Sequence, residues 1–210
     1  MLGIVDPDAA AYGSFDPATN HVSYFAVLKI ETNPAYLDNE QMFAAGFLEG
    51  ALTAPNIWYM YNNVLSTYKW AATGPPSCLT DFLDAQEAYV RAMVATSNDN
   101  RIFWDQLGLL MNQYDGLRAG YNATGNNTLT EFAFQMLNGV GDFFDIIPAV
   151  CKEYCPNFEN MTKPEIDEYI RTHGHCSALV KLTGDYSQLF MAHSSWYIYQ
   201  AMDRIFKHCL

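Results

Sequence analysis

The sequence predicts a helix-rich α+β chain with strands at both ends. Three observations point that way. Two short segments near the start, AAAYGSF (9–15) and HVSYFAVLKIE (21–31), are rich in aromatic and β-branched residues and are separated by the turn formers Asp16-Pro17-Ala18-Thr19-Asn20. Near the end, CSALVKL and LFMAH flank a Gly-Asp pair and read as a hairpin. Between these ends, from Asp38 to about Pro148, apolar residues recur at helical spacing.

The helical stretch divides into five elements. DNEQMFAAGFLEGAL starts at Asp38, with Asp38 or Asn39 as the expected cap and apolar residues at Phe43, Phe47 and Leu48. Glu49 falls in the apolar half, either on a solvated edge or buried with a partner. A second helix is expected from Pro55, a favourable first position, to about Trp70. Its rings Trp58, Tyr59, Tyr61 and Tyr68 line either a ligand pocket or the core. GPPSC (74–78) breaks the chain, and helices over about 81–96 and 100–119 follow. The polar stretch GYNATGNNTLT reads as an exposed loop before a helix starting near Thr130. Pro148 and Pro156 close this part, and KPEIDEYIRTHGH (163–175) reads as a short helix and an exposed linker.

The terminal hairpin carries the chemistry. If Gly184 and Asp185 form a two-residue type II′ turn, Thr183 faces Tyr186 and Cys176 faces His193. Directly opposed residues share a face, so a thiol and an imidazole meet at the open end of one hairpin. Both faces are mostly apolar, as for a sheet covered on both sides, and the N-terminal strands are the expected pairing partner. A final helix is expected after a Ser194 or Ser195 cap, containing Tyr197, Ala201, Met202, Ile205 and Phe206. The plain alternatives are a small buried Cys176 and a hydrogen-bonded strand-end His193.

Composition narrows the function. Half of the 210 residues are hydrophobic, 15% are aromatic and the formal net charge is −12. That charge excludes a nucleic-acid partner, which needs a basic surface, and disfavours anionic membranes. No uncharged run is apolar enough for a transmembrane segment, and MLGIVDPDAA lacks the basic start of a signal peptide. Asn122, Asn126 and Asn160 head glycosylation sequons and favour the secretory pathway. Five cysteines permit two disulfides plus a free Cys176, or none; Cys151 and Cys155 are near enough to pair if that segment is not helical. With His173 and His175 they fit no standard zinc spacing, so no metal is expected. No phosphate-cradling glycine loop, G-x-S-x-G elbow or H-E-x-x-H motif is present, and no cofactor is expected.

HCSALVKL, the downstream AHSSWYIYQAMDRIFKH and the upstream AAGFLEGALT together resemble the phospholipase B-like (laminal ancestor) family. That resemblance implies an N-terminal-nucleophile hydrolase with an αββα sandwich, of which this chain is a partial, apparently truncated portion. It implies self-cleavage between His175 and Cys176, giving a segment 1–175 and the start of a nucleophile-bearing fragment, 176–210, which stay associated. Cys176 is then the nucleophile, with His193 catalytic and Trp196 lining the active site. The implied substrates are acyl bonds of phospholipids, in a lysosomal or secreted setting. An amidase acting on N-acylated lipids or peptides, or a truncated non-catalytic lipid-binding protein, stands as the alternative.

The chemistry has a physical rationale. A thiol with a reference pKa of about 8.5 is mostly protonated at neutral pH, whereas an α-amine titrates at about 7.7–8.0. Cleavage before Cys176 therefore supplies a nucleophile and its base at one residue.

Overall fold

A computed structural model describes residues 6–17, 24–173, 176–195 and 198–210. The chain is mixed α+β and helix-rich, as the sequence predicts. Strands β1 (Ala11–Asp16) and β2 (Ala26–Thr32) form an antiparallel hairpin in which Tyr12 faces Glu31 and Ser14 faces Lys29. Ala26, Leu28 and Ile30 alternate to the buried face of β2, where Leu28 and Ile30 pack with Ala45, Leu48 and Leu52. Those last three residues belong to helix α1 (Asp38–Leu52), which covers that face.

The third strand of this sheet departs from the sequence prediction. The Cys176 hairpin does not join the N-terminal strands. Instead β5 (Ile205–Cys209) lies parallel to β2, with Ala26 opposite Ile205 and Ile30 opposite Cys209. The expected final helix is thus corrected to a 3-10 turn (Tyr199–Ala201) followed by a strand. Tyr197 of that expected helix lies outside the described residues. The physical reason is the open edge of β2: its N–H and C=O groups need partners, and Ile205 and Phe206 suit a strand. Phe206 stacks on Phe25 with ring centroids 4.8 Å apart, and Ile205 completes the Leu28–Ile30 cluster.

The start of α1 also differs in detail. Neither Asp38 nor Asn39 caps it; the Leu37 N–H donates to the Glu40 carboxylate at 3.1 Å, so an acidic side chain one turn in satisfies the end of the helix. Helix α2 (Ala54–Thr67) has Pro55 in its first turn, as expected. It stops short of Trp70 because Lys69 adopts φ 59°, and the single-turn α3 (Trp70–Thr73) follows. Gly74 (φ 71°) and Pro75-Pro76 then separate it from α4 (Ser77–Thr96).

Helix α5 (Arg101–Thr124) packs backbone to backbone on α1. A Cβ added at Gly46 would lie 1.9 Å from the Gln113 carbonyl oxygen, and one at Gly120 would lie 1.9 Å from that of Phe47. Gly50 and Gly116 are equally tight against the facing helix. Two glycines four residues apart on each helix thus let the main chains touch.

Helices α6 (Glu131–Gly139) and α7 (Phe143–Val150) complete the helical body. Thr130 caps α6 by accepting from the Ala133 N–H at 3.3 Å. The body has two cores, one around Val64, Trp70, Leu79, Met136, Phe143 and Ile147, the other around Ala54, Tyr121, Leu129 and Phe134. Of the predicted ring cluster, Trp58, Tyr61 and Tyr68 pack against these cores while Tyr59 is exposed, so these rings are chiefly core material. Cys78 and Cys151 are disulfide-bonded, tying α4 to the end of α7. The Cys151–Cys155 pairing weighed from sequence is therefore corrected; Cys155, Cys176 and Cys209 are free and exposed. Helix α8 (Lys163–His173) leads toward the terminal hairpin.

Candidate functional site

The hairpin is made of β3 (Cys176–Leu182) and β4 (Leu189–Ser195). Its register differs from the sequence prediction by two residues. Cys176 lies opposite Ser195, and His193 lies opposite Ala178. The cause is the turn, which is longer than Gly-Asp alone. Thr183 and Gln188 form its closing pair, with the Thr183 N–H donating to the Gln188 carbonyl at 3.0 Å. Within it the Tyr186 N–H donates to the Thr183 carbonyl at 3.0 Å, and Tyr186 takes φ 58°. The Asp185 carboxylate accepts from the Ser187 N–H at 3.2 Å and from its hydroxyl at 2.9 Å. The hydroxyls of Thr183 and Ser187 hold Asp185 down to about 2, so the turn keeps its charge in acid.

A slip of two preserves the face. Cys176, Ala178, Val180 and Leu182 still share one side with Leu189, Met191 and His193. Cys176 and His193 are diagonal neighbours across the two strands, positions whose Cα atoms lie roughly 7–8 Å apart in such ladders. Cys176 and His193 are both exposed. His175, on the acyl side of the expected cleavage site, and Trp196, the expected active-site lining residue, lie outside the described residues.

The hairpin is not covered on both sides as its composition suggested. Leu179, Val180, Leu182, Leu189, Phe190 and Met191 are each more than half exposed. Apolar residues on both faces predict a sheet covered on both sides; among the described residues neither face has a layer over it.

A second feature went unread in the sequence. A cleft of about 160 Å³ opens where α1, α2, α5 and α6 meet β5. Ile57, Met60, Leu117, Phe134 and Ile205 form its apolar wall. Across its mouth the Lys207 ammonium lies 2.5 Å from the Glu49 carboxylate, and the Asn56 amide donates to Asp203 at 3.2 Å. Of the two readings, Glu49 is thus the partnered carboxylate, nearly buried with its side chain 12% exposed. The signal in the sequence was a lone acid in the apolar half of α1; its partner is 158 residues away.

All three sequon asparagines are exposed. Asn122 is not in a loop as expected but in the last turn of α5, which continues to Thr124; only Asn126 lies in the connecting segment. Among the described residues no group of His, Cys, Asp and Glu is placed to hold a metal ion. Among them, too, no helix is long and apolar enough to cross a membrane.

The scaffold is helix-rich α+β, with Cys176 at the first position of a two-stranded hairpin separate from the three-stranded sheet. The phospholipase B family model matches residues 11–209. Phospholipase B-like protein D of Dictyostelium discoideum is 34% identical over 210 residues, covering 97% of this chain and 36% of that protein. Human phospholipase B-like 1 is 33% identical over 217 residues, covering 99% and 37%. Phospholipase B of Crotalus adamanteus is 32% identical over 222 residues, covering 98% and 38%. The chain belongs to the phospholipase B family. It spans little more than a third of the length of the curated relatives it matches.

Proposed function

We propose that this chain contributes the nucleophile-bearing part of a phospholipase B-like acyl hydrolase. The carrying observation is the shared exposed face of Cys176 and His193 at the open end of one hairpin. The family match and the names of the relatives support a phospholipid substrate.

Maturation starts with the Cys176 thiolate attacking the His175 carbonyl carbon. The C–N bond breaks, the α-amine of Cys176 takes up a proton, and a thioester remains. Water hydrolyses the thioester, leaving a His175 carboxylate and a free N-terminal Cys176. In turnover, the new α-amine removes the thiol proton and the thiolate attacks the acyl carbonyl of the lipid. The ammonium then protonates the departing alkoxide. Water resolves the acyl-cysteine, releasing the fatty acid and regenerating the thiol. His193, one diagonal step away, orients the leaving group or the attacking water.

Under this reading the chain divides at residue 176, and the two parts hold together without a covalent link. β5 belongs to the second part but completes the sheet of the first. Its frame supplies hydrogen bonds from the Ala26 N–H to the Arg204 carbonyl and from the Leu210 N–H to the Ile30 carbonyl, both 2.9 Å. The Glu49–Lys207 pair adds a side-chain tie, and the Cys78–Cys151 disulfide lies wholly within the first part. Three exposed sequons and that disulfide support a lysosomal or secreted setting.

The test is turnover by the protein as its gene encodes it. Release of fatty acid from a diacyl phospholipid by wild type, and its loss in Cys176→Ala, is the expected result. Faster release from an N-acyl amide than from the phospholipid would reassign the enzyme as an amidase. Equal activity in wild type and Cys176→Ala would remove Cys176 from the mechanism.

A further inference from the structure

The residues just upstream of Cys176 carry a ladder of rings. Phe158, in a 3-10 turn (Phe158–Asn160), meets Tyr169 of α8 edge-on, with centroids 5.2 Å apart. Tyr169 stacks on His173 at 3.8 Å and 19°. His173 meets Phe144 of α7 edge-on at 6.2 Å. The His173 Nδ1 lies 2.8 Å from the Tyr169 carbonyl oxygen, and since a carbonyl only accepts, Nδ1–H is the donor.

Helix α8 needs such an anchor. None of its residues is buried, and Ile170 is 65% exposed. A surface helix with so little buried apolar area has low local stability and frays readily. The ring of His173, its last residue, reaches across to the helical body through Phe144.

We infer that His173 is a positioning residue for the cleavage before Cys176, acting as a ring clamp that holds the end of α8 against α7. The inference rests on the self-cleavage reading above. Successive Cα atoms are 3.8 Å apart, so the residue contributing the scissile carbonyl is at most about 7.6 Å from the Cα of His173. With His173 held, only two residues separate the anchored end of α8 from the bond to be cut. Freedom removed in this way raises the rate of an intramolecular attack, and small misplacements cost large factors. The contribution is stacking and packing; His173 transfers no proton in the reaction.

The experiment follows the appearance of cut fragments over time in wild type, His173→Ala, His173→Phe and Ile170→Ala, with hydrogen exchange at the amides of α8 measured alongside in a Cys176→Ala background. His173→Ala is expected to slow cleavage about tenfold or more. His173→Phe, which keeps a flat ring without its proton chemistry, is expected to stay within about twofold of wild type, as is Ile170→Ala. Exchange in α8 should rise in His173→Ala and stay low in His173→Phe. Wild-type cleavage and exchange in His173→Ala would overturn the inference. Equal slowing in His173→Ala and His173→Phe would overturn it too, by pointing to the imidazole's chemistry. A wild-type chain that stays uncut would instead bring down the self-cleavage reading beneath it.

Discussion

Lys207 of β5 reaches back to Glu49 of α1, their charged atoms 2.5 Å apart at the mouth of the interhelical cleft. The two sides of the pair differ: the Glu49 side chain is 12% exposed and that of Lys207 52%. Removing the lysine alone therefore strands a nearly buried carboxylate, whereas removing both charges does not. Because Lys207 is half in water, the cost of Lys207→Met is expected to be about 1–2 kcal/mol, below that of a fully buried pair. Glu49→Gln combined with Lys207→Met should recover part of it. Denaturant melts of the two single variants and the double variant give the coupling directly; additive costs would mean that the pair contributes nothing.

The α1–α5 contact makes a sharper demand. Gly116→Ala would place a methyl group 2.1 Å from the Phe43 carbonyl oxygen, where only backbone can move aside. The two helices must separate, and a loss of about 3 kcal/mol is expected. Gly141→Ala, where a Cβ meets nothing within 4 Å, serves as the control and should change little. Thermal unfolding of the two variants checks this, and similar melting temperatures would contradict the close packing.

The hairpin turn sets a pH limit. Asp185 is held down to about 2 by hydroxyls that donate to its charged form, so its folded pKa lies below the unfolded value of about 3.9. The sign follows: the turn's stabilisation is fully present above about pH 4 and is lost as pH falls through about 2. The register that places Cys176 and His193 on one face should thus survive in acidic compartments. NMR titration of the Ser187 amide should show its shift moving only near pH 2. A midpoint near 4 would contradict the assigned hydrogen bonds, and Asp185→Asn should remove the transition.

Much of this arrangement was legible from local chemistry. Pro55 marks the first turn of α2, Gly74-Pro75-Pro76 separates α3 from α4, and Thr130 caps α6, because each acts on its own neighbours. The face shared by Cys176 and His193 was legible because strand alternation survives an even slip. What escaped depends on distant partners. Met202, Ile205 and Phe206 fit a helical period, yet Ile205 and Phe206 form a strand because the β2 edge is open to them. Cysteine spacing does not reveal that Cys78 pairs with Cys151. The exact opposition of Cys176 failed for a local reason: Tyr186 takes the left-handed conformation, a role given to glycine when the turn was read as Gly-Asp. The paired glycines of α1 and α5 carried a readable signal in their common spacing of four.

The central claim is that Cys176 becomes an N-terminal residue by its own chemistry. Intact-mass and N-terminal analysis of the purified protein, beside its Cys176→Ala variant, tests it most directly. A wild-type fragment beginning at Cys176, and an uncut Cys176→Ala chain, is the predicted result. A cut at that bond in Cys176→Ala, or an intact wild-type chain that still hydrolyses phospholipid, would contradict it.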